Sequence, residues 1–201
     1  NLLEAVRNSG NNPIFIYSST NKVYGELTDL RILEKKTHYA FENLEYGVSE
    51  ERCLDFHSPY GCSKGAADQY VRDYARIYNL KTIVFRQSCI YGPMQFGVED
   101  QGWVAWFIIA LMMNKDITIY GNGKQVRDIL YIDDLVEAYD LAIENIEKTK
   151  GQIYNIGGGA KNTISVWYEF KPLLQKLFKR KIEAASSDWR PGDQPIFISD
   201  P

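Results

Sequence analysis

The stretch Ile14–Glu26, IFIYSSTNKVYGE, decides how this chain is read. Ile14, Phe15, Ile16 and Tyr17 form an apolar run of strand-forming residues. Three hydroxyls follow at once, Ser18, Ser19 and Thr20, and then Asn21, Lys22 and a Tyr24-Gly25 turn. Such an ending is either a polar turn and nothing more, or a strand end that presents hydroxyls to a reacting substrate. The residues on either side decide between the two.

Outward from that stretch, strand and helix patterns alternate. YGCSKGAADQYVRDYARIYN has helical spacing, with Ala67, Tyr70, Val71, Tyr74 and Ile77 on one stripe. LKTIVFRQS reads as a buried strand, QGWVAWFIIALMMN as a helix apolar most of the way round, and DITIYG as a short strand before a Gly-Asn-Gly turn. VRDILYI is a strand that runs into Asp133 and Asp134, the expected N-cap of the next helix. QIYNIGG is a further strand. TISVWYEFKPLLQKLFKR reads as a helix capped by Thr163 or Ser165, with Pro172 tolerated only near a first turn or at a kink. Before Ile14, NLLEAVRNSGNNP is the tail of a helix with Leu2, Leu3 and Val6 on one face. Residues 31–48 are polar and mixed and are expected to form a long surface loop or lid. The C-terminal SSDWRPGDQPIFISDP is turn-rich with one short strand. Alternation of this kind implies an α/β fold with a mostly parallel sheet covered on both faces.

Composition narrows the function classes. The chain has 201 residues, 45% of them hydrophobic, enough for one sizeable core with a small appendage. A net charge of −3 leaves no footprint for nucleic acid or an anionic membrane. The longest apolar run, Trp103 to Met113, is shorter than the ~20 residues a bilayer requires. Cys53, Cys62 and Cys89 are odd in number and lack metal-type spacing, so reduced thiols in a cytoplasm are expected. The chain starts in mid-element without an initiator Met, and is expected to be part of a longer protein.

The strongest local signal is SPYGCSKG, residues 58–65. Tyr60 and Lys64 are four apart on a helix and share a face. A phenol is a poor base near neutrality because its reference pKa is ~10. An adjacent ammonium favours phenolate, so Tyr60 can take a proton from an alcohol while hydride leaves the same carbon. By itself a Tyr/Lys pair at this spacing is more often an ordinary surface pair. Here it follows a Ser-Pro helix start and lies some forty residues after the hydroxyl-ended strand, an order that is far more specific.

These residues resemble the extended short-chain dehydrogenase/reductase family, the nucleotide-sugar epimerases and dehydratases. The resemblance implies a catalytic triad of Thr20, Tyr60 and Lys64, and NAD as cofactor, with Ser18, Tyr60, Lys64, Gln87 and Ser88 on the cofactor side. It implies a Rossmann-type doubly wound parallel sheet, present as its C-terminal part, with a small C-terminal α/β substrate-binding portion. Residues 1–95 would belong to the NAD-binding domain, and 96–201 would mix substrate-binding and remaining sheet elements. GNGKQVRD is similar to the family segment whose Arg, here Arg127, binds the substrate diphosphate, a good match for a guanidinium fork. RPGDQ looks like the segment whose Arg, here Arg190, contacts the nucleotide. Asn21, Lys22 and Gln101 complete the implied substrate set. The implied partners are a nucleotide-sugar substrate and further copies of the chain, as a homodimer or homotetramer, with neither nucleic acid nor membrane.

Asn21 and Lys22 stand where the family's dehydratases carry two carboxylates for water elimination, which points to an epimerase. SSTNKVYG and DQGWVAWF are most similar to a branch that inverts C2 of a CDP-linked deoxysugar by transient oxidation. There are departures. Cys89 replaces an Asn common in relatives, and no Gly-x-x-Gly-x-x-Gly links a strand to a helix, so the pyrophosphate cradle must lie upstream of Asn1. An epimerase or reductase acting on another nucleotide sugar, and a non-catalytic binding relative, remain alternatives. Joint retention of Thr20, Tyr60 and Lys64 favours an enzyme. His38 and His57 read as surface or capping residues, Trp103, Trp106 and Phe107 as packing, and no residue set reads as a metal site.

Overall fold

The computed structural model describes residues 1–201. Helix α1 (Leu2–Asn8) leads into strand β1 (Phe15–Thr20). The strand stops where Thr20 caps a 3₁₀ turn, Asn21–Tyr24, its side chain accepting from the Lys22 N–H. Gly25 closes that turn at φ +70°, and a side chain there would strike Asp55. Residues 31–48, expected as a loop or lid, contain an antiparallel hairpin of β2 (Ile32–Glu34) and β3 (Tyr39–Phe41). Next come α2 (Ser58–Tyr78), β4 (Thr82–Gln87), β5 (Cys89–Tyr91), α3 (Trp103–Met112) and β6 (Thr118–Tyr120). The chain continues with β7 (Val126–Tyr131), α4 (Ile132–Glu144), α5 (Ile146–Thr149) and β8 (Ile153–Ile156). It ends with β9 (Thr163–Ser165), α6 (Phe170–Phe178), β10 (Ala185–Ser187) and β11 (Ile196–Phe197).

Strands β1, β4 and β8 form a parallel sheet in that order, with α2 and α4 in the crossovers. Thr20 lies opposite Gln87, and Gln87 opposite Ile156, so the carboxyl ends of all three strands are level. A second sheet, β11–β7–β5, is parallel, with β9 antiparallel to β7. Strands β6 and β10 pair in parallel beside it. Because β8 and α4 complete the sheet that β1 begins, the sheet spans the boundary expected near residue 95.

Helix α2 buries Gly61, Gly65, Asp68 and Val71. Of the stripe expected from the sequence, Val71 is buried, but Tyr70 and Ile77 are 65% and 63% exposed. The glycines explain the rotation. A Cβ at Gly65 would lie 2.3 Å from the Phe56 ring, so the first turns of the helix approach their neighbours through positions without side chains.

Two helix starts also differ from expectation. Helix α4 begins at Ile132 directly from β7, which places Asp133 and Asp134 in the first turn, not at the cap. There they offset the positive end of the helix dipole. Helix α6 begins at Phe170, because Thr163 and Ser165 belong to β9. Ser165 and Glu169 bond reciprocally across the intervening turn: the Glu169 N–H donates to Ser165 Oγ (2.9 Å), and the Ser165 N–H to Glu169 Oε2 (2.8 Å). Pro172 then falls in the first turn, where its missing N–H costs nothing.

The main core packs Val104, Phe107, Ala110 and Leu111 of α3 against Ile117, Ile119, Phe170, Leu174 and Ile182. A second cluster sets Val23, Tyr24 and Leu27 against Val48 and Phe197, fixing the 3₁₀ turn that follows β1. No helix is long and apolar enough to cross a membrane.

Candidate active site

The end of β1 rests on a buried polar network. Ser19 Oγ donates to Asp68 Oδ2 at 2.6 Å. Arg86 donates to both Asp68 oxygens at 3.0 Å, and to Tyr24 Oη at 3.0 Å. Tyr24 Oη in turn donates to Asn155 Oδ1 at 2.8 Å. Successive strand side chains point to opposite faces, so with Ser19 turned inward, Ser18 and Thr20 share the other face.

Helix α2, which bears Tyr60 and Lys64, packs on the Tyr17 and Ser19 side of the strand, and Thr20 stands at the strand's carboxyl end. Lys64 Nζ donates to the Ser18 carbonyl and lies 4.7 Å from the centre of the Tyr17 ring. Tyr17 Oη donates back to the Lys64 carbonyl at 3.3 Å. Burial holds the Lys64 ammonium below the usual lysine range. Tyr60 stands one turn earlier on α2 with its side chain 57% exposed, open to a ligand. Thr20 Oγ1 accepts from the Lys22 N–H and donates to Asn21 Oδ1, both at 3.3 Å. These are long bonds that a closer partner would displace.

The cofactor-side residues divide. Ser18 Oγ lies 2.6 Å from Tyr139 Oη, and Gln87 Nε2 donates to the same oxygen at 2.9 Å. Tyr139 therefore ties β1, β4 and α4 together at the strand ends. Ser88 instead turns its hydroxyl onto the buried Asp128. Asp128 also accepts from the Gly159 and Ser199 N–H groups, each at 3.2 Å, and from the Ser199 hydroxyl.

A cavity of about 270 Å³ gathers Lys22, Gln101, Arg127 and Arg190 with Glu99, Asp100 and Asp193. Four of the five residues expected on the substrate thus meet; Asn21 is the exception, its amide turned to Thr20. Arg127 donates to Asp193 at 2.7 Å. Arg190 pairs with Asp100 at 2.9 Å, with its guanidinium carbon 3.8 Å from the centre of the Tyr120 ring. Lys22 Nζ donates to the Gly192 carbonyl at 3.1 Å. Burial first and Arg127 second push the Lys22 ammonium down to about 8, against the opposite pull of Asp193 and Glu26. Lys22 also joins the cavity to the helix start, since a Cβ on Gly61 would lie 3.2 Å from its carbonyl oxygen. In the wall, Trp103 Nε1 donates to Cys89 Sγ at 3.1 Å, and burial pushes that thiol up to about 11, so it stays neutral. His57 pairs with Glu26 at 3.1 Å, and His38 with Glu169 at 2.9 Å.

Asp68, Arg86, Asp128 and Tyr139 were not picked out from the sequence. The adjacency of Asp128 to Arg127 was the one available signal.

The family described as NAD dependent epimerase/dehydratase matches residues 1–157. This chain belongs to that family. It is 48% identical over 205 aligned residues to the CDP-paratose 2-epimerase of Salmonella typhi, covering 100% of this chain and 60% of that relative. Among solved structures it is similar to the UDP-glucose 4-epimerase of Thermotoga maritima with UDP-glucose, at a TM-score of 0.76 and 31% identity. That match covers 99% of this chain and 58% of the other. It is also similar to the UDP-glucuronic acid 4-epimerase of Bacillus cereus in complex with UDP-glucuronic acid and NAD, at a TM-score of 0.75 and 27% identity, covering 99% and 56%. The chain therefore spans roughly three fifths of these family members, and its β1–β4–β8 sheet is part of their Rossmann-type fold.

Proposed function

We propose that this chain carries the catalytic and substrate-binding part of a nucleotide-sugar epimerase that inverts C2 of a CDP-linked deoxysugar, in the manner of CDP-paratose and CDP-tyvelose. One observation carries the reading. Lys22, Arg127, Arg190 and Gln101 converge on a single cavity, and Lys22 joins it to the strand end and helix start that bear Thr20, Tyr60 and Lys64. Cations gathered beside an alcohol-oxidising group suit a sugar whose diphosphate must stay fixed while the ring turns. The relative named for C2 epimerisation of CDP-paratose supplies the carbon and the base.

In this reading Tyr60, as the phenolate that the Lys64 ammonium stabilises, takes the proton of the C2 hydroxyl and becomes the neutral phenol. Thr20 donates a hydrogen bond to the C2 oxygen. NAD, when bound, accepts the C2 hydride and returns it. The sugar ring turns between the two transfers while the cations hold the diphosphate, so return to the opposite face inverts C2 with no net oxidation. Tyr60 gives its proton back to the C2 oxygen at the end. Asn21 and Lys22 offer no carboxylic acid for expelling a hydroxyl, which disfavours elimination.

The fit to NAD is partial. Ser18, Tyr60, Lys64 and Gln87 would hold its nicotinamide ribose end, and Ser88 would act from behind, through Asp128. Gly157, Gly158 and Gly159 follow β8 but lead to β9, and a Cβ at Gly157 would lie 2.2 Å from Asp128 Oδ2. They pack a core and form no pyrophosphate cradle. We further place the protein in the cytoplasm as a homo-oligomer, with the exposed Leu2, Tyr70, Ile77 and Tyr78 of α1 and α2 at its interface.

Incubating the intact protein with NAD and either CDP-paratose or CDP-tyvelose, followed by NMR of the sugar, tests the reading. Interconversion of the two at C2 is the expected result. Unchanged sugar, or a dehydrated product, overturns it.

A further inference from the structure

Three cations line the cavity, and two already hold a carboxylate: Arg127 with Asp193 at 2.7 Å, and Arg190 with Asp100 at 2.9 Å. Lys22 is the third. Its ammonium has no carboxylate within ion-pair distance, and its hydrogen bond runs to the neutral Gly192 carbonyl at 3.1 Å. An ammonium has three donors, so two remain for a ligand. Lys22 is also the residue that touches both halves of the site. Its backbone N–H donates to Thr20 Oγ1, and its carbonyl packs over Gly61, next to Tyr60. Its side chain meanwhile faces the guanidiniums.

Resting on the reading of this cavity as a nucleotide-sugar site, we propose that Lys22 is the third arm of the diphosphate clamp and takes up a proton when the diphosphate arrives. The arriving anion must displace a carboxylate to reach either arginine, but at Lys22 it fills an open position. The charged groups around Lys22 set its state before that. Burial and Arg127 of β7 push the ammonium down to about 8, while Asp193 of the 190–194 turn and Glu26 oppose them. Glu99, Asp100 and Arg190 line the same cavity, and His57 and Tyr60 stand at the start of α2. A diphosphate beside an ammonium favours the charged form and restores what burial removed. The complex then binds more protons than the free protein, so affinity falls as pH rises through about 8, by up to about tenfold per pH unit.

Calorimetric titration of CDP into the intact protein, in two buffers of different ionisation enthalpy, counts the protons. With the proton that CDP's own terminal phosphate (second pKa ~6) releases on binding subtracted by reference to Lys22→Met, uptake of about half a proton or more per CDP is expected at about pH 8.5, against almost none at about pH 6.5. Lys22→Arg, which stays charged, should keep CDP binding with no uptake and, above about pH 7.5 where the CDP phosphate is fully ionised, a flat affinity. Lys22→Met should bind CDP about tenfold or more weakly, also without uptake. CDP binding with no uptake at the higher pH, or uptake that survives in Lys22→Arg, overturns the proposal while leaving the epimerase reading standing. Uptake with CDP or UDP in a protein that does not epimerise CDP-sugars supports the clamp and overturns only the substrate reading. Failure of either nucleotide to bind overturns the clamp itself.

Discussion

Asp68 and Arg86 form a two-pronged ion pair, both hydrogen bonds at 3.0 Å, with side chains 0% and 2% exposed. The pair sits under the end of β1 and positions Ser19, which in turn fixes the face on which Thr20 stands. Removing one partner leaves a buried charge with no counter-ion. Asp68→Ala should therefore destabilise the fold by about 3–5 kcal/mol in urea unfolding. A loss under about 1 kcal/mol would show that the pair is not the base of the site.

Tyr60→Phe in the intact protein should abolish turnover and leave CDP affinity within a few fold. The phenol oxygen moves the proton, while the cations of the cavity carry the affinity. Turnover above a tenth of normal would remove Tyr60 from the proton-transfer role. Lys64→Met should be similarly severe, because the phenolate loses its neighbouring charge.

Arg127→Gln should weaken CDP binding by about one to two orders of magnitude, since charge-assisted bonds to phosphate are worth ~1.5–3 kcal/mol each. Calorimetry reads this directly. A change under twofold would mean that Arg127 serves Asp193 alone.

The depressed Lys22 ammonium carries a stability cost with a definite sign. Its ordinary value of 10.5 is pushed down to about 8 in the fold, so between those limits the unfolded chain binds more protons. The cost is full below about pH 8 and vanishes as pH rises toward 10.5. Lys22→Met should thus raise the melting temperature at neutral pH, with the gain shrinking at alkaline pH. A gain that does not change with pH would have another cause, such as packing.

Gly65→Ala sets a methyl group against the Phe56 ring at 2.3 Å, in a segment packed on both sides. Overpacking of this kind costs about 1–3 kcal/mol. Phe56→Leu in the same chain should restore part of it, as thermal melts of the single and double variants would show.

Much of the site was legible because its chemistry is local in sequence. Thr20 and Lys22 are two apart, Tyr60 and Lys64 one helical turn apart, and Arg127 and Arg190 sit in short turn-bounded motifs. What was not legible depends on contacts across the chain. Ser88 looks free in sequence, but Asp128, forty residues on, takes its hydroxyl. Asp68 and Arg86 lie 18 residues apart in sequence, and only the fold buries each against the other. The α2 face was misjudged because Gly61 and Gly65 carry no hydropathy signal, although their lack of side chains is what turns that face inward. The α6 start was misplaced because Ser165 belongs to β9, and its hydroxyl accepts from the N–H of Glu169, the residue that stands at the N-cap.

The cavity lining holds three cations, Lys22, Arg127 and Arg190, and three carboxylates, Glu99, Asp100 and Asp193. With Lys22 protonated these formal charges cancel, on a chain whose net charge is −3. A nucleoside diphosphate approaching from solvent therefore meets little attractive field at long range, and its capture rate should be nearly insensitive to ionic strength. Binding is then set at contact, where one phosphate can meet the unpaired Lys22 and the other must trade places with a resident carboxylate to reach an arginine.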